Sequence, residues 1–234
     1  MLRLNRGFHS KARGVDVAAR GTLGATGNFH KITYVTASGT FNYDAETKLT
    51  EIILIGGGGG GTVYKLISNP TSASITIGAG GALSSSSGGL PVAGNNGGNS
   101  TYTASGISLT AGGGAGAPQT FASANAVAGN GGAGGTATGG DRNIPGENGK
   151  GSLSLGLSAV GGGVAVGLAG DGGSSAYGVG GLAPRISSNA AAQGIGNYGL
   201  GFGSGSSGSM RMLIVGNWFS NAGVPGICII REYK

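Results

Sequence analysis

The sequence predicts a mainly β protein: a small β framework closed by the C-terminal strand, with inserted segments of polyglycine II type. Three observations predict it. Short runs rich in Val, Ile, Thr and Tyr recur between glycine clusters, and no stretch carries a capped helical period. Glycine supplies 56 of 234 residues, several times ordinary usage. Charged residues make up only 9%, too few for the charge-rich disorder that low hydrophobicity otherwise brings.

Glycine loses more backbone freedom on folding than any other residue, roughly 0.5–1 kcal/mol against Ala in a regular element. Over 56 glycines this is on the order of tens of kcal/mol. A folded form must therefore use what glycine alone permits, namely positive φ or backbones in direct contact. Collagen is excluded, since it needs Gly at every third position and abundant Pro, whereas Pro totals six here and Gly keeps no strict period.

The elements follow in order. Residues 31–36, KITYVT, alternate and are rich in β-formers. After Ser38-Gly39 the pattern resumes over Thr40–Tyr43. Residues 50–55, TEIILI, form the continuous apolar run of a buried strand. Thr62–Ile67 and Ala73–Ile77 are two more strands, and Ser100–Thr103 with Ile107–Thr110 flank Ala104-Ser105-Gly106 as a hairpin. Met210–Val215 and Gly226–Tyr233 end the chain. Ile52–Ile55 and Ile227–Ile230, the strongest apolar runs, are expected in one framework. The Gly-rich text between them suits polyglycine II geometry, with three residues per turn and no internal hydrogen bonds, so its donors must pair with neighbouring segments.

Charge divides the chain into two regions. Residues 1–31 hold Arg3, Arg6, Lys11, Arg13, Arg20 and Lys31 against Asp16 alone, a net of +5 within a total of +6. Residues 32–234 are nearly neutral. The first region reads as a basic docking arm, and 32–234 as one glycine-rich binding domain. A nucleic-acid role for the arm is disfavoured, because its charges are spaced and only Phe8 and Phe29 interleave with them. MLRLNRGFHSKARG leads into no apolar h-region, and no run is long enough to insert in a membrane. Synthesis in a cytoplasm is expected.

The motifs that imitate catalysis fail on spacing. EIILIGGGGGG (51–61) resembles a dinucleotide turn, but Thr62-Val63-Tyr64 favours a strand and no acid occurs between Glu51 and Asp141. PGENGKGS (145–152) lacks both the leading Gly and the hydroxyl residue after Lys of a phosphate loop. His9, His30 and Cys228 form no metal-binding spacing and no nucleophilic triad. Asp141 and Glu147 read as solvated acids rather than a catalytic pair. No enzyme activity and no cofactor are expected.

Breaks in the Gly-rich text supply irregular side chains of binding type. They are Asp141, Arg142, Asn143, Glu147 and Asn148 in 141–150, and Tyr177, Arg185, Asn189 and Tyr198 in 177–198. Trp218 and Phe219 read as local packing beside the C-terminal strand.

The order of the pieces carries a resemblance. YVTASGTF (34–41) precedes EIILI and six glycines; then come ITIGAGG (75–81), GGNSTY (97–102), LTAGGG (109–114) and PGICIIREY (225–233). This succession resembles the glycine-rich domain of phage tail proteins and tail-fibre tips. The middle is similar to the glycine-rich adhesins of T-even-like phages, which stack polyglycine II helices and present variable loops to bacterial receptors. The resemblance implies a virion tail-fibre or tail-tip protein that binds a bacterial surface receptor, either an outer-membrane protein or a glycan. It also implies contact with other virion proteins, for which the arm residues Arg3, Arg6, Lys11, Arg13 and Arg20 are candidates, and a homo-oligomer such as a trimer. A purely structural cap or decoration protein is the alternative.

Overall fold

The computed structural model describes residues 28–86, 94–117, 127–155, 165–188, 192–212 and 218–234. The described residues are mainly β, with no helix and several antiparallel sheets. β1 (Phe29–Val35), β2 (Gly39–Phe41), β3 (Leu49–Ile55), β4 (Thr62–Ser68) and β5 (Ala73–Thr76) lie in the first part of the chain. β7 (Ser100–Ala104), β8 (Ile107–Ala111), β10 (Ala137–Thr138), β11 (Arg142–Ile144) and β20 (Ile227–Tyr233) join them in two five-stranded sheets. One has the order β1-β20-β3-β4-β11, the other β10-β8-β7-β5-β2. β1 takes in Phe29, His30 and Lys31, so the sheet begins within the sequence-defined arm.

The main core lies between these sheets. Ile52, Leu54, Val63, Cys228 and Ile230 of the first pack against Ile75, Tyr102, Leu109 and Ala111 of the second. Fully burying each large aliphatic among them contributes about 1.5–3 kcal/mol. β3 is apolar throughout because both its faces are covered: Ile53 and Ile55 join Ile227, Ile229 and Tyr64 in a second cluster on the far face. Ile52–Ile55 pair residue by residue with Ile230–Ile227. Gly106, with φ 71°, turns the β7–β8 hairpin, a conformation that glycine adopts without a steric penalty.

The sandwich has two unlike poles. Residue 28 and Lys234 share one, where the Lys234 amide donates to the Asn28 carbonyl at 3.1 Å. At the other, β3, β5 and β8 run out into glycine segments, and β4, β7 and β20 enter from them. These segments bond to one another outside any sheet. The Gly57 amide donates to Gly98 O (3.0 Å), Gly97 to Gly114 O (2.8 Å) and Gly114 back to Gly57 O (3.1 Å). A second ring of three runs from Gly172 to Gly181 O, Gly181 to Gly205 O and Gly205 to Gly173 O, at 2.8–2.9 Å. Each segment thus bonds neighbours in different directions. A Cβ on Gly57 or Gly97 would overlap a neighbouring carbonyl oxygen, which is why the sequence keeps glycine there.

Beyond the glycine segments lie short strands: β6 (Ser85–Ser86), β9 (Val127–Gly129), β12 (Ser152–Leu155), β13 (Ala165–Leu168), β15 (Arg185–Ser188), β16 (Ala192–Gly194), β18 (Met210–Met212) and β19 (Trp218–Phe219). They form a four-stranded sheet, β15-β13-β12-β9, and the pairs β16-β18 and β19-β6. The backbone of Trp218 and Phe219 pairs with Ser86 and Ser85. The remaining strands, β14 (Gly178–Val179) and β17 (Leu200–Gly201), form a ribbon next to the sandwich.

Candidate functional site

The first break in the glycine text, 141–150, meets residues 171–180, most of which precede the second break, 177–198. Residues 141–150 leave the edge strand β11, and residues 171–180 turn back beside them. The Glu147 amide donates to Ser174 O at 2.8 Å, and Lys150 Nζ lies 3.0 Å from Asp171 Oδ2. Between the two stretches is a small concavity of about 110 Å³, lined by Glu147, Asn148, Lys150, Asp171, Ser174 and Val179 among others. The Asp171 carboxyl is held below its usual value, first by a hydrogen bond from the Ala183 amide, which outweighs the opposing effect of burial, with Lys150 and Arg185 lowering it further.

A second cluster adjoins it on the outer face of the β1-containing sheet. Register places Arg142 opposite Tyr64, and the guanidinium lies 5.6 Å from the ring centroid, a cation–π arrangement. The Tyr64 hydroxyl donates to the Tyr177 hydroxyl at 3.5 Å. Burial, then that contact, pushes the Tyr64 phenol up to about 12. Asp141 accepts from Lys65 Nζ (2.6 Å) and from the Leu66 amide (2.9 Å). Burial alone would raise its carboxyl, but the Leu66 amide and Lys65 outweigh it and hold the group below the ordinary range. Glu51 and Arg231 are paired at 2.9 Å on the same face. Among the described residues these acids are matched by lysine or arginine, whereas no carboxylate pairs with Arg142.

Exposed apolar groups gather on this side of the molecule. Phe29, Ile32 and Tyr34 of β1 and Leu66 of β4 face outward there, and the β14–β17 ribbon adds Tyr177, Val179, Leu200 and Phe202. Leu200 is 77% exposed and Tyr198, just before it, 63%.

The sequence-chosen residues divide by role. Arg142, Glu147, Tyr177, Arg185 and Tyr198 are exposed. Asn143 is spent on the chain itself: its amide oxygen accepts from Gly140 N (3.1 Å) and its nitrogen donates to Gly140 O (3.2 Å). Asn148 likewise accepts from Gly134 N at 2.8 Å and ties two glycine segments together. Arg185 sits in β15, paired with Leu168 among the short strands, apart from the Arg142 cluster. Asn189 and the arm candidates Arg3, Arg6, Lys11, Arg13 and Arg20 lie outside the described residues. Tyr64, Lys65, Lys150 and Asp171 were not singled out from sequence. The alternation in TVYKLIS, which turns Tyr64 and Leu66 to one face, is the signal that points to the first of them.

Among the described residues, no group of three or more His, Cys, Asp or Glu side chains is placed to hold a metal ion. No protein-family model matches the chain, and a search of curated proteins finds no relative.

Proposed function

We propose that the chain is a phage tail-fibre or tail-tip protein that binds a bacterial surface receptor during host adsorption. In this reading the β sandwich, with β20 bonded between β1 and β3, is the framework, and the glycine segments are polyglycine II-like inserts held on it. The three-segment hydrogen-bond rings support that assignment, since polyglycine II strands bond outward to several neighbours rather than within themselves. One observation carries the functional reading. Residues 141–150 and 171–180 are held together by hydrogen bonds and an ion pair, and charged, aromatic and apolar groups stand exposed around them. Recognition needs irregular side chains fixed on a support. The activity is binding, with no chemical step and no cofactor, and the basic arm docks the protein to the particle.

The test is adsorption of purified protein to candidate host cells, with surface extracts as competitors. The triple variant Arg142→Ala/Arg185→Ala/Tyr198→Ala is expected to bind at least tenfold more weakly, since anchors of these types commonly carry about 1–2 kcal/mol or more. A folded triple variant that adsorbs as well as the parent rejects these residues as the contact. Failure of the parent to bind any susceptible host favours a purely structural virion role.

A further inference from the structure

We infer that Lys31 and Glu232 are the partners of an intramolecular isopeptide bond that joins the first and last strands of the sandwich. The inference is independent of the receptor reading.

The register sets Lys31 of β1 directly opposite Glu232 of β20. Lys31 Nζ lies 3.8 Å from Glu232 Oε1, too far for a hydrogen bond but within reach of a small side-chain adjustment. The Glu232 side chain is 0% exposed. Its two oxygens are in opposite situations. Oε2 accepts from the Thr47 hydroxyl at 2.8 Å and from the Asp44 amide at 3.2 Å. Oε1 is buried with no hydrogen-bond partner. A buried carboxylate oxygen without a partner is a standing free-energy penalty.

This asymmetry suits condensation. Two donors on Oε2 stabilise the negative charge that collects there when a nucleophile adds to Cδ, as an oxyanion hole does. Oε1, held by nothing, is the oxygen free to leave. One proton passes from the Lys31 ammonium to Oε1, giving amine and acid. Nζ then bonds to Cδ, the Cδ–Oε1 bond breaks, and a second nitrogen proton departs with Oε1 as water. The third proton stays on the new amide nitrogen. Atoms and charge balance with no outside reagent, and one cation and one anion disappear together. The strands supply the proximity that such a step requires. The product removes the buried carboxylate oxygen that lacks a hydrogen bond, and the hydroxyl oxygen of Thr33, two residues along the same face of β1, is likewise buried without a hydrogen-bond partner.

The bond would have a mechanical use. β1 is an edge strand, bonded only to β20, and the chain enters the sandwich through it. A pull on the N-terminal region would otherwise be resisted by that one ladder.

The experiment is intact mass spectrometry of the full-length protein under denaturing conditions, followed by peptide mapping. The parent is expected to weigh one water less than its sequence and to yield a branched peptide joining Lys31 to Glu232. Lys31→Arg, which keeps the cation but cannot form the amide, is expected to show its full sequence mass. A folded parent at full sequence mass, or a water loss that maps elsewhere or persists in Lys31→Arg, overturns the inference.

Discussion

Gly57→Ala tests whether the glycine segments form one tightly bonded body. Gly57 is buried, and a Cβ there would overlap the Ala79 carbonyl oxygen, with Gly78 O at 3.1 Å. Every obstructing atom is backbone, so none can swing aside. The residue also uses both its polar groups, donating to Gly98 O at 3.0 Å and accepting from Gly114 N at 3.1 Å. Restoring van der Waals distance needs a segment shift of about 1 Å, which carries both bonds past useful length. Groups left unpaired in a buried site cost about 1–3 kcal/mol each, so the expected loss is about 3–5 kcal/mol. That is a large part of the roughly 5–15 kcal/mol holding an ordinary domain. Gly39→Ala is the control, because its Cβ would meet nothing within 4 Å; the change there is expected within about 0.5 kcal/mol, or as a small gain. Denaturant titration of both variants reads the difference. If Gly57→Ala matches Gly39→Ala in midpoint and slope, the close-packed description of the glycine segments is wrong.

Tyr43→Phe removes one hydroxyl of a buried pair, Tyr43 to Tyr102 at 2.8 Å, and is expected to lower stability by about 1–2 kcal/mol in the same titration. Asp141 has a depressed folded-state carboxyl, so its contribution is complete above the unfolded value of about 3.9 and is lost as pH falls through the lower folded value. Thermal melts of Asp141→Asn should therefore lie below the parent at neutral pH and converge with it in acid; a constant gap at every pH would reject the assignment. Burial pushes the Cys228 thiol up to about 12, so alkylation at mildly alkaline pH should wait for unfolding, and rapid labelling of the native protein would contradict the core described above.

How much was legible in the sequence depends on where each residue finds its partner. TEIILI and ICIIREY declare themselves because each buried side chain adds to a local apolar pattern, and the structure pairs them along their length. The β7–β8 hairpin is legible for the same reason, with Gly106 at the turn. β18 falls within the expected strand 210–215, but the other short strands after residue 120 are not legible, because two to four residues carry no period that distinguishes them from the surrounding text. At the site, Arg142 and Tyr177 stand out as irregular residues in glycine text. Tyr64 does not, since only the β11 register reveals that it carries the guanidinium. Asn143 and Asn148 carry a second role that the sequence does not reveal. Each side-chain oxygen accepts a hydrogen bond from a glycine amide, Gly140 and Gly134 respectively.

Backbone pairing also bears on where specificity would reside. In the glycine segments nearly every polar atom is backbone, and the ring from Gly57 through Gly98, Gly97 and Gly114 shows how those atoms are used up by one another. Such a body is rigid but offers a ligand almost nothing to distinguish it by. At most of the glycines there a Cβ would meet a neighbouring backbone atom, so those positions exclude any larger residue. The chain diverges at β11, at the 171–180 turn and at the β14–β17 ribbon, and there the exposed Arg, Glu, Tyr and Leu residues accumulate. In the proposed binding role, close packing of glycine would leave contact with a partner to these interruptions. Substitutions confined to those interruptions are expected to leave the hydrogen-bonded body intact, which the denaturant titration used for Gly57→Ala would read.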